Sequence, residues 1–358
     1  MLCAQKVCNY NLKCKNLNIM KKIAVIGGGV AGLEVAKQLL QANIPVTLIE
    51  QSSKIGGNIK NYAYLFPDFY NAEELLNSYH YLITDPNLQL LLNTEVAKID
   101  FSKKIYNILT KDGISIPADA IVIATGYNTF DARLKEEFGY GIYENVITSV
   151  QLEQMFKNKD IKTPSGKIPE RIGFIHCVGS RDAKVGNTYC SRLCCVTAIK
   201  QAIETKKLLP SVEIFCFYID LRMYGLLFED LYLSAQRDYN IQFVRGRLSE
   251  ASEMMDKRIQ IKAEDTLIGK PLQMSADMIV LMVGMEASDF SKQFKYHNGL
   301  DVNEHGFFNP INPHNLRNLT SKDGIFLAGT AIGPMSVGET LDHARGTALS
   351  VLSFIKAN

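Results

Sequence analysis

Short apolar runs alternate along the chain with longer stretches in which apolar positions recur every three or four residues. The runs lie at residues 22–26, 45–49, 119–126, 171–178, 278–284 and 324–331. They have strand length and are rich in Ile and Val, and the densest of them, 278–284, is far shorter than a membrane helix. Runs apolar throughout, rather than at every second residue, predict strands buried on both faces, as in parallel sheets. Residues 33–42 carry the helical pattern. Strands alternating with helices predict an α/β fold of Rossmann-like units.

The first strand runs into Gly27-Gly28-Gly29-Val30-Ala31-Gly32 and then into the helix. The glycines have distinct physical roles. Gly27 permits a tight turn, Gly29 lets backbone approach a pyrophosphate, and Gly32 lets helix pack on strand. The helix N-terminus, with Val30 and Ala31, then faces the phosphates. The strand at 45–49 ends in Glu50, placed to accept the hydroxyls of an adenosine ribose. A lone GxGxxG is a weak signal, but strand, loop, helix, strand and acid together predict a dinucleotide site.

At 358 residues the chain exceeds one ordinary core and suits two interleaved α/β units. The division expected is an extension at 1–20 without fold, a first dinucleotide-binding part at 21–128, an inserted second unit at 129–290, and the return of the first part at 291–358. Hydrophobic residues make up 47%, charged residues 21%, and the net charge is +2. This balance argues against nucleic acid as a partner, and no apolar run is long enough for a membrane span.

The eight cysteines stand at 3, 8, 14, 177, 190, 194, 195 and 216. Without an apolar signal core near the start, a secreted disulfide framework is not expected, and a reducing cytoplasm is. Cys3, Cys8 and Cys14 are unevenly spaced and lack a fourth ligand. The strand at 171–178, where a second glycine-rich loop would be expected, instead leads into Cys177, followed by Cys190, Cys194 and Cys195. A helix beginning near Tyr189 would set Cys190 and Cys194 on neighbouring turns. Four thiolates suit a [4Fe-4S] cube. A Cys190–Cys194 disulfide, zinc and inert packing are the competing readings; no CxxC occurs in the chain, and adjacent cysteines do not ordinarily pair. His176 would be a core histidine or a neighbour tuning the cluster, and His343 a packing residue or one facing a flavin.

Glu50 followed by Ile55-Gly56-Gly57-Asn58, the Ala-Thr-Gly at 124–126 and the Gly-Ile-Phe-Leu-Ala-Gly-Thr-Ala at 324–331 resemble the flavoproteins with two dinucleotide-binding domains, the thioredoxin-reductase-like fold. The resemblance implies FAD held by Gly56, Gly57, Asn58, Val96, Ala124, Thr125, Gly126, Gly329 and Thr330, with the backbone at 94–96 reading the adenine. Thr330 stands where most relatives carry an aspartate for the ribityl chain.

Around the cysteines the match is closer still. Cys177-Val178-Gly179-Ser180-Arg181-Asp182, Tyr189-Cys190-Ser191-Arg192-Leu193-Cys194-Cys195, Ala198-Ile199-Lys200-Gln201-Ala202 and Phe243-Val244-Arg245-Gly246-Arg247 resemble the A-type component of heterodisulfide reductase and its short relatives. That resemblance implies FAD and a [4Fe-4S] cluster on Cys177, Cys190, Cys194 and Cys195. It also implies electron exchange with partner iron-sulfur subunits, and a homodimer within a larger assembly. Residues 58–75 contain no cysteine, unlike full-length members, so flavin-based bifurcation does not carry over. The rival reading is an NAD(P)H-dependent disulfide reductase of the thioredoxin reductase type, against which the missing CxxC and missing second glycine loop count.

Overall fold

The computed structural model describes residues 21–101, 105–297 and 300–357. The extension expected at 1–20, with Cys3, Cys8 and Cys14, lies outside the described residues. Strand β1 (Ile23–Ile26) leads into helix α1 (Val30–Gln41), β2 (Val46–Ile49), β3 (Leu88–Leu91) and β4 (Ala120–Ile123). Further along come β5 (Val146–Thr148), α2 (Ser149–Asn158), β6 (Arg171–Val178), α3 (Cys194–Leu208), β7 (Glu213–Tyr218), β8 (Gln242–Arg245) and β9 (Met278–Val283). Strand β10 (Ile325–Leu327) and helix α4 (Val337–Ala357) close the chain.

These strands build two parallel sheets of five, in the orders β10-β4-β1-β2-β3 and β5-β9-β6-β7-β8. The apolar runs of the sequence become the buried centres: every residue of β1 and β4 is buried, as is β9 up to its last residue. Both faces of each sheet are covered, which is why alternation is absent. On the first sheet, α1 and α4 pack one face through Leu33, Leu39, Ala344 and Val351, and Phe294 and Phe308 join the core of the other. On the second, α2 and α3 cover one face, and an antiparallel meander from 248 to 276 covers the other.

Two short segments, Tyr127–Thr129 and Met285–Ala287, pair antiparallel where the chain passes between the sheets. Helix α2 starts on a capping box, Thr148 and Gln151 exchanging side-chain and backbone hydrogen bonds. In each sheet the strand order reverses beside the central strand, between β1 and β4 and between β6 and β9. The carboxyl ends of the strands at such a reversal leave a crevice where ligands bind in doubly wound folds. The glycine loop after β1 occupies the first crevice and the cysteine loop after β6 the second. No helix among the described residues is long and apolar enough to cross a membrane.

Candidate functional site: a dinucleotide cleft beside a cysteine loop

The glycine loop separates three roles. Gly27 has φ +109°, and a Cβ there would sit 2.3 Å from the carbonyl oxygen of Ala124. At Gly32 a Cβ would sit 1.9 Å from the carbonyl oxygen of Gly27, so helix and loop can close only on glycine. Gly29 differs: its φ is −75°, and a Cβ would meet nothing nearer than Gly57 Cα at 3.8 Å. That space is open at the helix N-terminus, whose cap carries no side-chain hydrogen bond, so its N–H groups are free to face a phosphate. Gly29→Ala is therefore expected to leave apo-protein stability unchanged while weakening FAD at least tenfold, about 1.4 kcal/mol. Equal FAD affinity in a fluorescence titration of the two proteins would show that the phosphates lie elsewhere.

Gly27, Gly29, Glu50, Gly57, Asn58, Val96, Ala124, Thr125 and Gly126 line a cleft of about 1310 Å³. Thr94 and Glu95, in the segment expected to read adenine, line it as well. The Glu50 carboxylate accepts hydrogen bonds from the Gly28 N–H at 2.7 Å and from the Ser52 N–H and hydroxyl at 2.8 and 2.7 Å. It is thus oriented before any ligand arrives. A second lobe of about 860 Å³ shares Asn58, Ala124, Gly126 and Tyr127 with the first and is walled by Val30, Ala31, Gly56 and Thr330. Gly32 and Gly329 line neither lobe. Gly329 has φ +63° and packs against Ala31 and Thr340, and its N–H donates to His343 Nδ1 at 2.9 Å. His343 thus braces the return segment, and burial holds its imidazole down at about 4.

The second lobe also contains groups that sequence reading left without a role. Lys200 is buried on α3, and its ammonium donates to Glu153 Oε1 at 2.6 Å and to the carbonyl of Tyr64 at 2.9 Å. Glu204 Oε2 lies 3.1 Å from the same ammonium. Glu153 and Lys200 line the lobe together with Tyr62 and Tyr127, whose hydroxyls bond each other. The signal in the sequence was a lysine inside an apolar helical pattern, and its partner carboxylate is 47 residues away.

Neither oxygen of Glu204 has a hydrogen-bond partner. Burial pushes its carboxyl from the ordinary 4.5 to about 7, against the opposing pull of Lys200. A carboxyl raised in the folded state favours folding while it stays protonated. Stability should therefore fall as pH rises from about 4.5 to about 7 and level off above. Glu204→Gln is expected to flatten that slope and raise the urea midpoint at pH 8. Parallel pH profiles for the two proteins would refute this.

The cysteine loop is conformationally tight. Cys177 at the end of β6, Arg181 and Arg192 hold φ of 60°, 56° and 64°, a region non-glycine residues rarely enter. Cys177 and Cys194 have their sulfurs 3.9 Å apart, and Cys195 Sγ donates to the carbonyl of Asp220 at 3.5 Å. Helix α3 begins at Cys194, so Cys190 precedes the helix instead of lying a turn earlier on it. Left-handed Arg192, and Ser191 N–H donating to Ser180 Oγ at 2.9 Å, keep Cys190 in the loop, where its sulfur accepts from Arg192 N–H at 3.3 Å. All of these thiols are free, Cys190–Cys194 included.

Hydrogen bonding to Cys194 pulls the Cys177 and Cys195 thiols down, while the same bonds push Cys194 up. His176, expected as a satisfied core histidine or a tuning neighbour, is buried, and neither ring nitrogen has a partner of good hydrogen-bond geometry. The ring is nonetheless close enough to help hold down both Cys177 and Cys195. Among the described residues no three His, Cys, Asp or Glu side chains are placed to share one metal ion.

The sequence profile of the pyridine nucleotide-disulphide oxidoreductases matches residues 21–348. The chain belongs to that family. This pyridine nucleotide-disulphide oxidoreductase is thus an FAD-dependent oxidoreductase in the two-dinucleotide-domain fold. It is similar to the A-type iron-sulfur component of the CoB–CoM heterodisulfide reductase of Methanocaldococcus jannaschii, with 30% identity over 424 positions, covering 94% of this chain and 64% of that protein. The A-type component of the H(2)/formate:CoB-CoM heterodisulfide,ferredoxin reductase of Methanococcus maripaludis is 40% identical over 245 positions, 66% of this chain and 37% of its own length. The chain thus spans less than two thirds of the length of these curated relatives. In structure, the Lactococcus lactis thioredoxin reductase matches with a TM-score of 0.68 at 18% identity, over 94% of this chain and all of that one. That likeness fixes the fold.

Proposed function

We propose that this oxidoreductase is the FAD and [4Fe-4S] electron-transfer subunit of a short, heterodisulfide-reductase-like complex acting in sulfur or disulfide metabolism. In this reading residues 21–128 and 291–358 hold FAD, and the insertion at 129–290 holds the cluster on Cys177, Cys190, Cys194 and Cys195. One observation carries it. A small cavity lined by Cys194 shares Tyr62, Tyr127, Leu193, Thr197 and Met285 with the flavin lobe of the cleft. Cys194 and the lobe proposed for the flavin therefore share one set of walling side chains, which supports a short path between the two centres.

The donor set fits such a cluster. Thiolates at the start of α3 gain from the helix dipole, and two of the thiols are already displaced toward the thiolate. FAD exchanges electrons in pairs and a four-iron cube singly, so together they join two-electron to one-electron chemistry. This chain's residues shape the cleft, anchor the ligands and fix the charge around them. The names of the relatives, each one subunit of a heterodisulfide reductase, support partner subunits; that these carry iron-sulfur clusters, and that a homodimer forms the core of a cytoplasmic assembly, are further parts of the proposal.

The test is anaerobic purification of the full chain with iron, sulfide, zinc and flavin analysis. About four irons and one FAD per chain are expected, with no NADPH oxidation by the chain alone. Zinc in place of iron would overturn the cluster, and a Cys190–Cys194 disulfide with NADPH turnover would give the case to the disulfide reductase reading.

A further inference from the structure

Seven buried side-chain nitrogen or oxygen atoms among the described residues lack a hydrogen-bond partner, and three of these surround the cysteine loop: both ring nitrogens of His176 and Nη1 of Arg181. Neutral imidazole offers one N–H, and a guanidinium Nη offers two. Donors buried without an acceptor are unfavourable, so several around one point call for an acceptor that the polypeptide does not itself supply.

The placement is specific. His176 is the residue before Cys177 on β6, and its ring lies against Cys195 as well. Arg181 anchors Nη2 on Asp220 Oδ2 at 2.8 Å, and its positive charge interacts with Cys177 and Cys190. Its left-handed backbone is held by Arg247, whose Nη2 donates to the Arg181 carbonyl at 2.7 Å. The two side chains therefore address Cys177, Cys190 and Cys195, with the imidazole against the Cys195 sulfur and Nη1 of Arg181 still without an acceptor.

On the cluster reading above, on which this step rests, we propose that His176 and Arg181 donate hydrogen bonds to the sulfurs of the cluster and set its reduction potential. Taking up an electron makes the cluster more negative. N–H donors and a guanidinium cation stabilise that state more than the oxidised one and raise the potential. They are tuning groups, not ligands, so removing either should leave the metal in place.

The experiment is a spectroelectrochemical titration of the anaerobically purified chain, read by electron paramagnetic resonance, with iron counted in each sample. His176→Leu is expected to keep about four irons and to shift the reduction equilibrium about tenfold toward the oxidised form, about 59 mV for one electron. His176→Asn, which restores an N–H donor, should recover at least half of that shift, and Arg181→Gln should lower the potential in the same sense. Iron-bearing His176→Leu and Arg181→Gln proteins that titrate with the wild type overturn this inference and leave the cluster reading standing. Wild type without iron overturns both. If His176→Leu fails to hold iron, Arg181→Gln decides: a lowered potential supports the inference and an unshifted one overturns it.

Discussion

On the proposed cluster reading, Cys194→Ala is expected to strip iron and sulfide from the chain, from about four irons to near zero, while FAD stays bound. Cys194 occupies the first position of α3, is buried, and is the thiol that both Cys177 and Cys195 contact. Alanine fits that position without strain, because the side chain becomes smaller and helix propensity rises. The lobe proposed for the flavin shares Leu193 and Thr197 with the small cavity that Cys194 lines, and alanine leaves both residues unchanged. Cys216→Ser is the control. That thiol lies in the centre of β7 and burial pushes it upward out of the reactive range, so it should be replaceable without loss of iron. The check is iron, sulfide and flavin analysis with visible spectra on all three proteins. Iron persisting at about four per chain in Cys194→Ala would remove Cys194 from the ligand set.

The part of the site legible in the sequence is the part whose chemistry is local. Gly27 and Gly32 each answer to a neighbour within the loop or one strand away, so the spacing of glycines carries the geometry. Glu50 follows from the length of β2, which delivers the carboxylate beside Gly28. The cysteine string was legible as a set, but its local conformation was not. A spacing of four suggests one helix face, and only the left-handed turn at Arg192 places Cys190 ahead of the helix. Nothing in a single sequence marks that turn, since arginine seldom adopts it. The charged cluster around Lys200 was illegible for another reason. Its partners come from α2 and from one turn further along α3, and the chain brings α2 and α3 together only when both pack against β9. His176 could be placed next to Cys177 by number alone, but its lack of partners is a property of the packed interior.

Lys200→Met is expected to cost about 3–5 kcal/mol of folding stability, the usual cost of breaking a buried ion pair from one side. The ammonium has 2% of its side-chain surface exposed and sits between carboxylates exposed by 1% and 5%. Methionine fills the space with similar volume, so packing survives and the cost is electrostatic. Glu153 would keep two donors, Ala63 N–H at 2.9 Å and Gln201 Nε2 at 2.7 Å, but would lose its countercharge. Glu204, already held by Lys200 alone and without a hydrogen bond, would remain protonated to higher pH still. Pairing Lys200→Met with Glu153→Gln removes both charges, so the double variant should regain a large part of the loss, and the cycle isolates the coupling. Urea denaturation is the measurement, run with and without excess FAD because ligand binding adds its own stabilisation. A loss below about 1 kcal/mol in the single variant, or no recovery in the double, would mean that solvent reaches the pair and that it does not act as a buried charge beside the second lobe of the cleft.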